Sequence, residues 1–241
     1  MYSMRVVIEE TDVTIRADSK ESVSSAAKAV KLHRSELDRY VAKDPAFVTA
    51  KVPVRTLEGA PEVAKLMSRA AEPFGVGPMA AVAGAIAELA ARASEPTVIV
   101  DNGGDVQVRA RRSVVVGLYV SDDHPLSGRI GFEIEGVLGV CTSSGKFGHS
   151  YSAGKADAVT VFAERASLAD AAATAICNLT SGDDPEAAVQ RALEFADDFT
   201  GDLIEAAVVI RGDFVGISGR PPKIVSLRGG RIKPARLEPT I

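Results

Sequence analysis

The chain has 241 residues, 46% of them apolar, which is enough to bury one sizeable core. Only 5% is aromatic and Trp is absent, so Ala, Val, Ile and Leu must build that core. A net charge of -4 argues against the basic surface of a nucleic-acid binder, while a local basic patch for a small anionic ligand stays open.

Residues 4–17 read as a hairpin around Glu9-Glu10-Thr11-Asp12, with no charged leader and apolar stretch of the kind a signal peptide needs. Val23, Ala27, Val30, Leu37 and Val41 recur at near-helical spacing, so residues 20–42 form a helix that Asp44-Pro45 ends. Residues 45–60, with Pro45 and Pro53, read as extended, and 61–72 as a short helix. The breaker cluster from Pro73 to Pro78 precedes a small-residue helix from Met79 to Ala93. Its Ala80, Ala81, Ala83, Gly84, Ala85 and Ala87 let another backbone or a ligand come close. Strands at 97–100 and 106–109 flank Asp101-Asn102-Gly103-Gly104-Asp105, and more follow at 114–120, 129–135 and 137–141. Arg109, Arg111 and Arg112 read as a solvated strand end that discourages pairing. A Gly/Ser/Thr-rich stretch at 142–157 leads to a strand at 159–163, helices at 167–179 and 185–195, a closing hairpin at 206–217 and a tail from 219 to 241. The sum is one α+β domain over 1–241, with helices interleaved among largely antiparallel strands.

No apolar run reaches the roughly 18 residues that span a bilayer. Cys141 and Cys177 fit no zinc or thioredoxin spacing, so a reduced, cytoplasmic chain is expected, with no membrane or nucleic-acid partner.

Three segments can carry chemistry. Asn102-Gly103-Gly104-Asp105 suits a tight hairpin turn with Asn-Gly at its centre, and equally a place where backbone approaches a phosphate or ring. Cys141 is followed by Thr142, Ser143, Ser144, Gly145, Lys146 and, further on, His149. That loop can form an anion nest with Lys146 as point charge, or can be a plain polar loop; it lacks the order of a P-loop. Within it, Cys141 is either a nucleophile or sulfur carrier activated by Lys146 and His149, or a small buried residue. The third segment is the helix at 167–179. Asp170, Thr174 and Asn178 lie at i, i+4 and i+8, one polar stripe among residues that from Leu168 to Leu179 are otherwise apolar apart from Cys177. Short oxygen donors one turn apart suit Mg²⁺. The competing view makes Asp170 a helix-start residue and has Thr174 bond back to its own helix.

In order along the chain, Gly77-Pro78-Met79-Ala80-Ala81-Val82-Ala83-Gly84, Val100-Asp101-Asn102-Gly103-Gly104-Asp105, Thr142-Ser143-Ser144-Gly145 and Leu168-Ala169-Asp170-Ala171-Ala172-Ala173-Thr174-Ala175 resemble the motifs of ApbE-like proteins, the superfamily that includes FAD:protein FMN transferases. The likeness is greater still to one ApbE-related branch of archaeal and bacterial proteins, where it covers essentially the whole chain. The resemblance implies an ApbE-like (T-fold-like) fold, a mixed, largely antiparallel sheet packed with helices. It implies that Asp170, Thr174 and a backbone carbonyl near Ala80 hold Mg²⁺ beside the pyrophosphate of FAD, or of a related flavin ligand such as FMN. Where the transferases carry Lys-Gly, this chain has Ala83-Gly84. Where they carry His-Ile-Ile-Asp-Pro, it runs from Gly148 to Asp157 without that motif. The resemblance thus implies a retained metal end with a rebuilt flavin side.

Three functions follow. The chain holds a flavin or another diphosphate-containing nucleotide through Mg²⁺. Alternatively it carries sulfur on Cys141 in sulfur amino-acid metabolism, or it is a non-catalytic interaction module. The Ala-rich helix also leaves a surface for a homodimer.

Overall fold

The computed structural model describes residues 1–95, 97–121, 123–145 and 154–227. Alternating apolar residues make the opening hairpin: β1 (Tyr2–Ile8) and β2 (Thr11–Ala17) pair antiparallel, with Val13, Ile15 and Ala17 wholly buried. Four helices follow. These are α1 (Lys20–Val41), α2 (Pro45–Thr49), α3 (Glu62–Ala71) and α4 (Val82–Arg92), the last entered through a tight 3-10 turn, Pro78–Ala81. The Ser19 hydroxyl starts α1 by accepting from Ser22 N at 3.0 Å. An extended course fails at 45–49, because Asp44 followed by Pro at the first helical position starts a turn of helix. Phe47 fixes that turn, buried edge-on against Tyr40 with ring centroids 5.1 Å apart.

The remaining elements are β3 (Val98–Asn102), β4 (Asp105–Gly117), β5 (Ile130–Ser143), β6 (Ala158–Ala163), α5 (Ala166–Asn178), α6 (Pro185–Asp197), β7 (Ala206–Arg211), β8 (Phe214–Gly219) and β9 (Lys223–Ser226). The sheet runs from β1 to β8 in chain order, β9 joins it beside β5, and every pairing is antiparallel.

Helices cover one face. There Val98, Val100, Cys141, Val159, Val161 and Val209 share one core with Val30, Leu66, Ile86 and Ile176. The other face has its own core, made by a fold-back. β4 and β5 form one long hairpin, where separate shorter strands were expected. The pairing slips between Ala110 and Val114, and Gly136 opposite takes φ +94. The far half of the hairpin turns back over the sheet and sets Phe132 edge-on to Phe162, with centroids 4.7 Å apart. Val108, Val140, Val208 and Ile210 are buried beneath it. β9 lies along this far half, so residues 223–226 are a strand and not tail; residues 228–241 lie outside the described residues. With both faces covered, all six residues of β6 are buried, which is why it reads as a continuous apolar run. Among the described residues no single helix is long and apolar enough to cross a membrane.

Candidate functional site

The register of the sheet draws the sequence candidates into one row. Asn102 ends β3 opposite Asp105, which starts β4. One step beyond the Val106–Val140 pair, Asp105 lies beside Cys141, and Cys141 faces Val161. Asn102 is not at the centre of the turn. Gly103 and Gly104 are, with φ of +68 and +107, values that only glycine adopts cheaply. Asn102 is thereby left with its side chain on the helix side, where its amide donates to Ala83 O at 3.2 Å. On the turn, Gly104 N donates to Asp101 Oδ1 at 3.0 Å.

Two helices close over this row. At Gly84 an added Cβ would overlap Ala166 O and come within 2.8 Å of Asp170 Cβ, so α4 and α5 touch backbone to backbone here. Gly84 N donates to Asp170 Oδ2 at 2.8 Å. Asp170 thus caps the start of α4 from a neighbouring helix, a position where the dipole favours a carboxylate. In return Glu88, 2% exposed, accepts from Ser167 N at 3.1 Å and Ser167 Oγ at 2.5 Å in the first turn of α5. Arg92 and Arg165 neutralise Glu88. Gln107 Oε1 accepts from Ala166 N at 2.7 Å.

Eleven of the thirteen residues of α5 are buried, so its lack of Lys, Arg and Glu reflects a helix with no wet face. Asp170 and Thr174 sit at 9% and 8% exposure on the same side of it. Among the described residues no group hydrogen-bonds to the Thr174 hydroxyl, and it does not bond back to its own helix. Asn178 is half-buried one turn further on. The turn holding Ala80 packs against α5.

The electrostatics follow from crowding. Burial pushes Asp105 up to about 7, against the Thr142 N–H and the Cys141 thiol, which favour its anion. Part of its surface reaches water, yet protein atoms ring it. Burial, then the charge of Asp105, holds Asp170 well above the usual carboxylate range, against the N–H groups of Gly84 and Ala83. Burial and the same two charges raise the Cys141 thiol.

Thr142 N donates to Asp105 Oδ1 at 3.2 Å, and its hydroxyl meets that of Thr160 at 2.9 Å. Ser143 ends β5, Ser144 follows it, and Gly145 N donates to Ala156 O at 3.0 Å. Lys146 and His149 lie outside the described residues. Cys141 is wholly buried and its thiol donates to Ala166 O at 3.2 Å, the environment of a packing residue. A sulfur carrier needs an accessible thiolate. Arg109 is no free strand end: it pairs with Val98 of β3 and Val137 of β5 and caps the last carbonyls of α4 by donating to Ala91 O at 3.0 Å, whereas Arg111 and Arg112 lie exposed at the slip of the β4–β5 pairing, Arg112 paired with Asp18. Two surface hollows of about 380 and 360 Å³ lie elsewhere. One is between the first turn of α1 and the end of α4, the other between the end of α1 and residues 57–61.

Sequence reasoning missed Glu88 and Gln107. Glu88 carried a signal, as the lone charged residue between Val82 and Ala91. Gln107 carried none, since its role depends on where α5 begins.

The family model described as AbpE bacteria matches residues 2–214. A UPF0280 protein of Methanocaldococcus jannaschii is 43% identical over 230 residues, covering 93% of each chain. One from Archaeoglobus fulgidus is 39% identical, covering 93% of this chain and 94% of its own. Among solved structures, the apo flavinyl transferase ApbE of Pseudomonas stutzeri superposes with a TM-score of 0.55 at 14% identity, covering 94% of each chain. The ApbE protein of Thermotoga maritima gives 0.57 at 14% identity, covering 90% of this chain and 96% of that one. At such identity these two likenesses speak for the fold: an α+β arrangement of helices on a large antiparallel sheet. Matched along most of its length by that family model and by the UPF0280 proteins, the chain belongs to the ApbE-like family, in its UPF0280 branch.

Proposed function

We propose that the chain holds a flavin nucleotide, or another ligand with a diphosphate, through Mg²⁺ at Asp170 and Thr174. The observation that carries this is Thr174: the residue is more than nine-tenths buried, one helical turn from Asp170, and its hydroxyl has no hydrogen-bond partner among the described residues. With no partner among the described residues, that hydroxyl is available to a bound ligand. The donor set fits the ion. Carboxylate, hydroxyl and the backbone carbonyl of Ala80 are hard oxygens of the type Mg²⁺ takes. Among the described residues no three His, Cys, Asp or Glu side chains form a cage for a metal, so water and ligand phosphates would complete the shell, as is usual for Mg²⁺. Bound there, the ion would neutralise charge on a diphosphate. The likeness of fold to flavinyl transferases supports a flavin as that ligand.

A thermal-shift titration with FAD, FMN, ATP and ADP, each with and without Mg²⁺, tests the proposal. A ligand at 100-fold excess over its Kd should add about 2.7 kcal/mol of stability. Asp170→Asn is the diagnostic variant, because it keeps an acceptor for Gly84 N while losing the charge. A Mg²⁺-dependent shift that vanishes in Asp170→Asn and weakens in Thr174→Val is expected. No shift with any nucleotide would refute the proposal.

A further inference from the structure

A second carboxylate stands beside Asp170. We propose that Asp105 is a direct ligand of the divalent cation held at Asp170 and Thr174, so that the site takes up the cation before any diphosphate arrives. This rests on the metal reading above and deepens it.

Placement comes first. Asp105 lies next to Cys141 in the sheet, and the Cys141 thiol donates to Ala166 O at 3.2 Å in the first turn of α5. The helix therefore lies directly over Asp105, and Asp170 follows Ala166 by one turn on the same side. Orientation comes next. Thr142 N donates to Asp105 Oδ1 and Gly84 N to Asp170 Oδ2, with the Cys141 thiol and the Ala83 N–H as further neighbours, so backbone fixes the orientation of both carboxylates. Among the described residues neither carboxylate is paired with a Lys or Arg, although Asp12, Asp18 and Glu88 all are. Two carboxylates brought together in a protein-ringed site repel, and the arrangement costs stability unless a proton or a cation joins them. Thr174, more than nine-tenths buried and on the Asp170 side, adds an oxygen with no partner among the described residues; a cation would use all three groups, where a shared proton would use two. All the donors are oxygens, which selects a hard divalent ion such as Mg²⁺ or Mn²⁺.

The test uses Mn²⁺ alone, with free Mn²⁺ followed by EPR near neutral pH in the absence of nucleotide. The wild-type chain should bind one Mn²⁺. Asp105→Asn, which keeps an acceptor for Thr142 N, should bind about tenfold more weakly or worse, the scale on which even supporting partners act. Asp105→Glu should recover part of the loss. If Asp105→Asn binds like the wild type while Asp170→Asn does not, the metal reading survives and the role of Asp105 is overturned. Wild type that takes Mn²⁺ only together with FAD overturns it too, and no Mn²⁺ even with FAD overturns both. A second measurement needs no variant: Mg²⁺ should shift the Thr142 amide resonance of the wild-type chain, and an unmoved signal refutes the proposal.

Discussion

Asp170 and Glu88 each hold the first turn of the other's helix: Asp170 on α5 accepts from Gly84 N of α4, and Glu88 on α4 accepts from Ser167 N of α5. The exchange leaves Glu88 buried with its charge answered by two arginines that are themselves partly exposed. Glu88→Ala should therefore cost about 2 kcal/mol, less than a fully buried pair would, and Glu88→Gln about half of that. Urea unfolding of the two variants measures both. Equal stability of Glu88→Ala and wild type would mean that the cap carries nothing.

The contact at Gly84 leaves no room for a side chain. Gly84→Ala gains helix propensity, yet its Cβ must push against Ala166 O and Asp170 Cβ. A net loss of about 2 kcal/mol is expected, since overpacking against backbone outweighs the gain of about 1 kcal/mol in propensity. Thermal melts check the sign, and a stabilised variant would contradict the close approach of α4 and α5.

Asp105 sets a pH dependence. Its folded value of about 7 lies above its ordinary 3.8, so between the two the folded chain holds a proton that the unfolded chain has released. The stability linked to this group is complete below the lower value and is lost as pH rises through the upper one. Asp105→Asn cannot titrate. Relative to it, the wild type should lose about 2 kcal/mol as pH rises from about 4 to about 8, after allowing for partial solvent access. Urea unfolding at several pH values, with chelator present, reads this difference directly; parallel curves would exclude it.

Cys141 and Cys177 form no disulfide and have no exposed surface. A thiol reagent should modify neither in the folded chain and both after unfolding, with a native rate that tracks opening of the structure. Rapid reaction of Cys141 under native conditions would favour the sulfur-carrier reading.

Much of this arrangement was legible in the sequence because it follows from local chemistry. The spacing of Val23, Val30 and Leu37 located α1, and Asp170 and Thr174 declared a shared side of α5 by periodicity alone. What stayed hidden depends on partners far along the chain. The lack of long charged residues on α5 suggested a special surface, but the cause is burial under α4 and over β5, which no window of α5 contains. Asn-Gly looked like the centre of a turn until the pairing of Asn102 with Asp105 moved the turn by one residue. Arg109 looked like an edge charge because the C-terminus of α4, which it caps, is distant in sequence. The joining of strands into the long β4–β5 hairpin turned on the slip opposite Gly136, a tertiary accommodation and not a propensity.

The seam between β2 and β3 imposes an order on folding. Ala17 and Val98 are partners there, yet four helices and about 80 residues separate them, a loop closure whose entropy must be met before the contact returns anything. The opening hairpin therefore has nothing to pair with until β3 arrives. Until then β2 presents an open row of amides and carbonyls with Val13 and Ile15 beside it, a template for the same strand of another nascent copy. That seam lies far in sequence from the residues that would handle the ligand.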